Sequence, residues 1–139
     1  MVHLHPDYLH RMKQAFGPSF RVTGYFTPEG HLAGYATTLR NGPELEAHFL
    51  GFDPAVNRER QLYLNMLYDI VAEGIAAGAS RILFGRTAME IKSSVGAVAR
   101  EMDLFLRANN SFLNIFGTRL VRYLEPKEEW TARHPFAEE

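Results

Sequence analysis

Residues 82–96 read I-L-F-G-R-T-A-M-E-I-K-S-S-V-G, and the fold turns on them. The apolar run Ile82–Phe84 meets Gly85. Thr87 then opens a helical pattern with Glu90 three residues later, and Lys92 and Gly96 close the stretch four residues apart. This reads as a buried strand that splays open and hands the chain to a short helix, with charged groups at the mouth. The carboxyl end of a strand meeting a helix is a place where substrate groups dock.

Working outward, Ser80–Gly85 is the strand, expected to be central because its apolar residues do not alternate. Before it lies a long helix, Glu59–Ala77, with Leu62, Met66, Leu67, Ile70, Val71 and Ile75 as its buried side and Gly78 placed for its C-terminal cap. Gly74 costs about 1 kcal/mol against Ala inside a helix, which predicts close packing on another element. Further back, Phe20–Phe26, His31–Arg40 and Glu44–Phe52 form a meander of three antiparallel strands. Its turns are Thr27-Pro28-Glu29-Gly30, where Pro presets one backbone angle and Gly supplies the other, and Asn41-Gly42-Pro43. Alternation in the third strand puts Leu45, Ala47 and Phe49 on one face and Glu46, His48 and Leu50 on the other. Asp7–Phe16 is an N-terminal helix stopped by Gly17-Pro18.

Downstream, Thr87–Val95 is the short helix, with Thr87 and Glu90 as a capping box. Val98–Arg107 alternates as a strand, and Asn110–Leu124 returns to helical spacing. The polar tail after it has two apolar anchors, Trp130 and Phe136. Residues 1–139 form one expected domain, with 108–139 as a C-terminal helix and docking tail.

The chain has 139 residues, is 46% hydrophobic, and balances 15 basic against 16 acidic residues for a net charge of −1. A single domain of that size carries a real core. The charge gives no general drive toward nucleic acid or anionic membranes. With no cysteine there is no disulfide frame, thiolate zinc site or cysteine nucleophile. No apolar run approaches the roughly 18 residues that span a bilayer. His3, His5 and His10 lack the spacing of a metal site, so no metal is expected. A cytoplasmic protein is the expectation.

The element order of helix, three-strand meander, long helix, strand, short helix and strand resembles the GNAT acyltransferase fold. Within it, Phe84-Gly85-Arg86 followed by Lys92 and Gly96 as K-x-x-x-G resembles the Fem-type and cellulose-biosynthesis-type branch. The similarity covers about residues 20–106. It implies an α+β fold with a central mixed, mostly antiparallel sheet and helices on both faces. Members of that branch often carry two such domains in tandem, so the chain is compatible with the C-terminal half of a pair. The resemblance further implies acetyl-CoA or another acyl-CoA as co-substrate. The family's Gly-rich phosphate cradle corresponds here to D-P-A-V-N-R-E-R-Q (53–61), which has no glycine. The tyrosine acid that many GNAT enzymes place four residues before a glycine is replaced by Lys92.

Lys92 is a candidate for binding a phosphate, a carboxylate or a developing oxyanion, or else a solvated helix lysine. Glu46 and His48, projecting the same way, are candidate bases for removing an ammonium proton; the bland reading is an exposed sheet face. Asn57, Arg58, Arg60 and Gln61 at the helix entrance are candidate cofactor-binding residues. Cations at a helix N-terminus oppose its dipole, so Arg58 and Arg60 call for an anion or an acidic partner such as Asp53 or Glu59. Arg86 is a candidate substrate anchor or a partner for Glu46. Three readings follow: acyl transfer from acyl-CoA to a small-molecule or peptide amine; Fem-type aminoacyl transfer from aminoacyl-tRNA; and a catalytically silent binding or dimerisation module. A homodimer fits the third, and near-neutral charge speaks against gripping tRNA.

Overall fold

A computed structural model describes residues 4–85, 87–102, 109, 130–133 and 135. The chain opens with α1 (Tyr8–Phe16), which ends at Gly17 in a positive-φ conformation and runs through a short 3-10 turn into β1 (Phe20–Phe26). β2 (Leu32–Asn41) and β3 (Glu44–Phe52) complete an antiparallel meander. Both turns form where Gly and Pro place them: Gly30 (φ 86°) donates to the Thr27 carbonyl, and Gly42 has φ 57°.

The helix expected over Glu59–Ala77 is two helices. α2 (Pro54–Arg60) is capped by Asp53, whose side chain accepts from the Ala55 amide at 2.8 Å, with Pro54 at its first position. Gln61 then adopts a left-handed conformation (φ 50°, ψ 42°), and α3 (Leu62–Ala76) follows. Nothing in residue type demands that break, since Gln is an ordinary helix former. The Asn57 side chain supports it by accepting from the Tyr63 amide at 2.7 Å across the junction. α3 closes with a double hydrogen bond: Gly78 N–H to Ile75 O at 3.0 Å and Ala79 N–H to Gly74 O at 2.8 Å.

α3 buries Leu62, Met66, Leu67, Ile70 and Gly74 against one face of the sheet. Ile75, expected inside, is 74% exposed, because Gly74 occupies the point of closest approach. A Cβ on Gly74 would sit 2.5 Å from Ile82 Cδ1 and 2.7 Å from its Cγ1, the close packing that glycine predicted. Ile82 lies on β4 (Arg81–Leu83), which pairs in parallel with β3. The sheet order is β1-β2-β3-β4, so among the described residues β4 is the last strand rather than a central one. α1 lies on the opposite face, where Tyr8 packs on His48 and Phe49. The architecture is thus α+β, a mixed and mostly antiparallel sheet with helices on both faces.

Two glycines on the meander separate space from flexibility. A Cβ on Gly34 would meet Met66 Cε at 2.5 Å and the Gly51 carbonyl at 2.8 Å, whereas one on Gly24 would meet the ring of Phe26, whose side chain is exposed. Gly34→Ala is therefore expected to cost about 1–3 kcal/mol by overpacking. Gly24→Ala is expected to be near neutral because the Phe26 ring can swing away. Urea midpoints of the two variants check this; equal losses would contradict it.

After β4 the short helix α4 (Met89–Ser93) starts two residues later than expected. Its N-cap is Ala88 in a left-handed conformation (φ 54°), without a side-chain cap, so Thr87 and Glu90 do not form a capping box. Glu90 instead accepts from the Arg133 guanidinium at 2.6 Å, and the Arg133 amide donates to Ser93 Oγ at 2.8 Å. Arg133 thus fastens the 130–133 segment to α4, a tail anchor other than the two apolar ones expected. Residues 98–102 carry no strand; the rest of the expected strand to Arg107, the helix over 110–124 and the anchor Phe136 lie outside the described residues.

Candidate active site

β3 pairs with β4 only at Glu44–Arg81, Leu45–Ile82 and Glu46–Leu83. β3 then continues to Phe52 beside β2, while Phe84 and Gly85 leave the sheet toward α4. The two strands part after Glu46 and Leu83, and a wedge opens between them. α2 follows β3 directly, with only Asp53 between them. The strand thus splays at the mouth that residues 82–96 predicted.

His48 stands on β3 just past the parting. β3 has one extra residue here: Thr38 pairs with Ala47 and Ala36 with Leu50, so His48 and Phe49 together oppose Thr37. The Thr37 hydroxyl fills the gap, accepting from the Phe49 amide at 2.8 Å and donating to the Phe49 carbonyl at 3.1 Å. This bulge breaks the expected alternation. Leu50 packs on the α3 side with Leu45 and Ala47, and Phe49 joins His48 against Tyr8.

Accounting for protons assigns the imidazole. With its single proton on the Phe49 carbonyl, the Thr37 hydroxyl accepts from His48 Nδ1 at 3.3 Å. Nε2 is then the lone-pair nitrogen and accepts from the Tyr8 hydroxyl at 3.0 Å. Tyr8 stacks on the ring at 5.9 Å, and Phe20 meets it edge-on at 5.8 Å. Burial among these rings pushes the His48 pKa below its ordinary value, partly offset by the Glu46 carboxylate, which favours the charged form. His48 is therefore a neutral, oriented imidazole whose lone-pair nitrogen is linked to the Tyr8 hydroxyl. Sequence reasoning picked His48 but missed Tyr8 and Thr37, because one comes from a distant helix and the other acts only through the bulge.

Glu46 lies on the same face, its carboxylate accepting from Asn41 Nδ2 at 2.9 Å. Lys92 is 6% exposed, not a solvated helix lysine, and its ammonium donates to the Phe84 carbonyl where β4 leaves the sheet. Burial pushes its pKa down, and among the described residues no carboxylate pairs with it. Arg86 lies outside the described residues.

Asn57, Arg58, Arg60 and Gln61 occupy the end of α2 and its junction with α3. Arg58 and Arg60 are exposed in the last turn of α2, where cations favour the helix dipole, so their placement no longer demands an anion. Arg60 lies near Glu29, whose carboxyl is held below its ordinary range first by the Thr27 hydroxyl and in lesser part by the Arg60 charge. The Asn57 carboxamide and the Gln61 carbonyl already satisfy the Tyr63 and Asn65 amides of α3. The candidate residues thus fall in three places: Glu46 and His48 on β3, Lys92 against the end of β4, and the two arginines in the last turn of α2.

No protein-family model matches the chain, and no curated protein matches it in sequence. Its structure is similar to the crystal structure of an acetyltransferase from Trypanosoma brucei, with a TM-score of 0.60 and 13% sequence identity. The match covers 77% of this chain and 82% of that one. The fold is acetyltransferase-like. Among the described residues there is no group of three or more His, Cys, Asp or Glu side chains placed to hold a metal ion. No helix among them is long and apolar enough to cross a membrane.

Proposed function

We propose that the chain is a GNAT-like N-acyltransferase that moves an acyl group from an acyl-CoA thioester to an amine. The observation that carries this reading is the parting of β3 from β4 after Glu46 and Leu83, with the oriented, neutral imidazole of His48 two residues further along β3. An extended acyl-thioester arm fits such a gap, and backbone amides of β3 beyond Glu46 would polarise its carbonyl. The acceptor arrives as an ammonium ion. Its proton passes to the Tyr8 oxygen as the Tyr8 hydroxyl proton moves to His48 Nε2, the freed nitrogen attacks the thioester carbon, a C–N bond forms, and the C–S bond breaks, the leaving thiolate taking the nitrogen's second proton. Glu46 is a second candidate base, acting through water. Lys92 contributes by holding the end of β4 through the Phe84 carbonyl, which keeps the mouth in shape. The phosphate end of the donor would meet Arg58 and Arg60, since 53–61 has no glycine cradle.

One feature of the α3 entrance supports a second reading. Of the first-turn amides that a helix leaves without an intrahelical partner, that of Tyr63 is satisfied by the Asn57 side chain. That fits a donor held elsewhere, as in Fem-type transfer from aminoacyl-tRNA, or a silent module. The net charge of −1 weighs against the tRNA version.

Calorimetric titration with acetyl-CoA and coenzyme A tests the first reading, with Arg58→Ala/Arg60→Ala as the control. Both arginines are exposed, so the control keeps the fold. The expected result is saturable one-site binding, weakened about tenfold or more in the control because each lost arginine removes a charge-assisted contact to phosphate. No heat at millimolar ligand would sink the acyl-CoA reading.

A further inference from the structure

β1 is the first strand of the sheet and, among the described residues, pairs only with β2. Its outer edge therefore offers backbone donors and acceptors to another strand. Proteins block such edges with charge, proline, bulges or a covering element. The sequence F-R-V-T-G-Y-F has one charge and no proline, and its irregularity lies at the end, between Tyr25 and Phe26.

The two faces of β1 carry different chemistry. Arg21, Thr23 and Tyr25 lie on the α3 side: Arg21 is 3.9 Å from Glu73, and Tyr25 has Asp69 as its hydroxyl partner. On the other side Val22, Phe26 and the neighbouring Leu32 are 46%, 65% and 60% exposed and form an apolar band.

We propose that β1 pairs antiparallel with β1 of a second copy of this chain, about a two-fold axis through Thr23, joining the two sheets into one. Only a residue-centred axis keeps faces matched, because directly opposed side chains lie on the same face. Thr23 is the centre that uses all seven residues. Arg21 then opposes the second copy's Tyr25 and approaches its Asp69 and Glu73, so that cation meets acidic cluster once on each side of the axis. On the other face Phe20 opposes Phe26, and Val22 opposes Gly24, over which the exposed Phe26 ring of the same strand lies as an apolar contact. The apolar bands of the two copies become continuous. This charge match of β1 with itself favours a second copy over an unrelated strand, and it does not depend on the acyl-transfer reading.

The chain contains no cysteine, which allows a direct test. Thr23→Cys places a single thiol on the axis, where opposed Cα atoms about 4.5–5.5 Å apart lie within disulfide range. Mild oxidation is expected to give a covalent dimer, while Asn41→Cys, at the exposed far end of β2, stays monomeric. In sedimentation experiments the parent is expected to show a concentration-dependent dimer, and Val22→Lys, an exposed site that leaves the fold intact by circular dichroism, a monomer. A parent that is monomeric throughout the micromolar range overturns the proposal. So does a dimer that Val22→Lys leaves unchanged, or crosslinking of Thr23→Cys no faster than of Asn41→Cys.

Discussion

His48→Gln is expected to lower amine acylation by roughly 10²–10⁴-fold, the usual contribution of a positioned proton acceptor. Gln keeps polar atoms near Tyr8 and Thr37 but supplies no base, so the folded structure should persist while turnover collapses. The pH dependence sharpens the test. Burial holds the folded pKa of His48 below its ordinary 6.5. Turnover in the parent should therefore persist as pH falls through 6.5 and drop only below it, as Nε2 takes a proton. Stability follows the same sign. Below 6.5 the unfolded chain takes up a proton that the folded imidazole resists, so the contribution is complete above 6.5 and is lost as pH falls through the folded pKa. Both dependences should vanish in His48→Gln. A variant with parental turnover, or an unchanged acid limb, would show that His48 is structural.

Phe20→Ala is expected to carry the largest stability loss at the site, about 3–5 kcal/mol by urea denaturation. Phe20 is fully buried, and its ring meets His48 edge-on at 5.8 Å. Its backbone carbonyl also accepts from Lys13 Nζ at 2.7 Å, tying α1 to the start of β1. Removing the ring leaves that bond but opens a cavity beneath the imidazole. Against a total stability of about 5–15 kcal/mol for an ordinary domain, the loss is a large share. Water entering the cavity should also return the His48 pKa toward 6.5, which proton NMR titration of the ring would read. A loss below about 1 kcal/mol would mean that the α1 face is not packed as described.

What was legible in the sequence followed from strong local chemistry. Gly30, Gly42 and Gly78 mark backbone positions that favour glycine, and the turns and helix end fall there. Gly74 was readable because a helix-interior glycine needs a packing reason, and Ile82 is that reason. The features that shape the site were not legible, because each depends on contacts between distant segments. The His48–Phe49 bulge is stabilised by a threonine on the neighbouring strand, eleven or twelve residues away. The left-handed turns at Gln61 and Ala88 involve residues with no preference for that conformation, the first supported by Asn57 across the break. Glu90 satisfied the spacing of a capping box, yet its partner is Arg133, 43 residues on. By residue type and spacing Lys92 fits a binding group or a solvated helix lysine equally, and only the position of α4 against the end of β4 buries it. The meander, its turns and the strand after α3 could thus be anticipated, and the hydrogen bonds that orient His48 and hold Lys92 could not.

The most direct measurement is amine-dependent release of free thiol from acetyl-CoA, followed with a thiol-reactive dye across a panel of small amines and peptide N-termini. The chain has no cysteine of its own to react, so any signal is released coenzyme. Acyl transfer predicts release that saturates with at least one amine, exceeds the enzyme-free rate, and is lost in His48→Gln. Release at the spontaneous rate for every amine, identical in the parent and in His48→Gln, would contradict it.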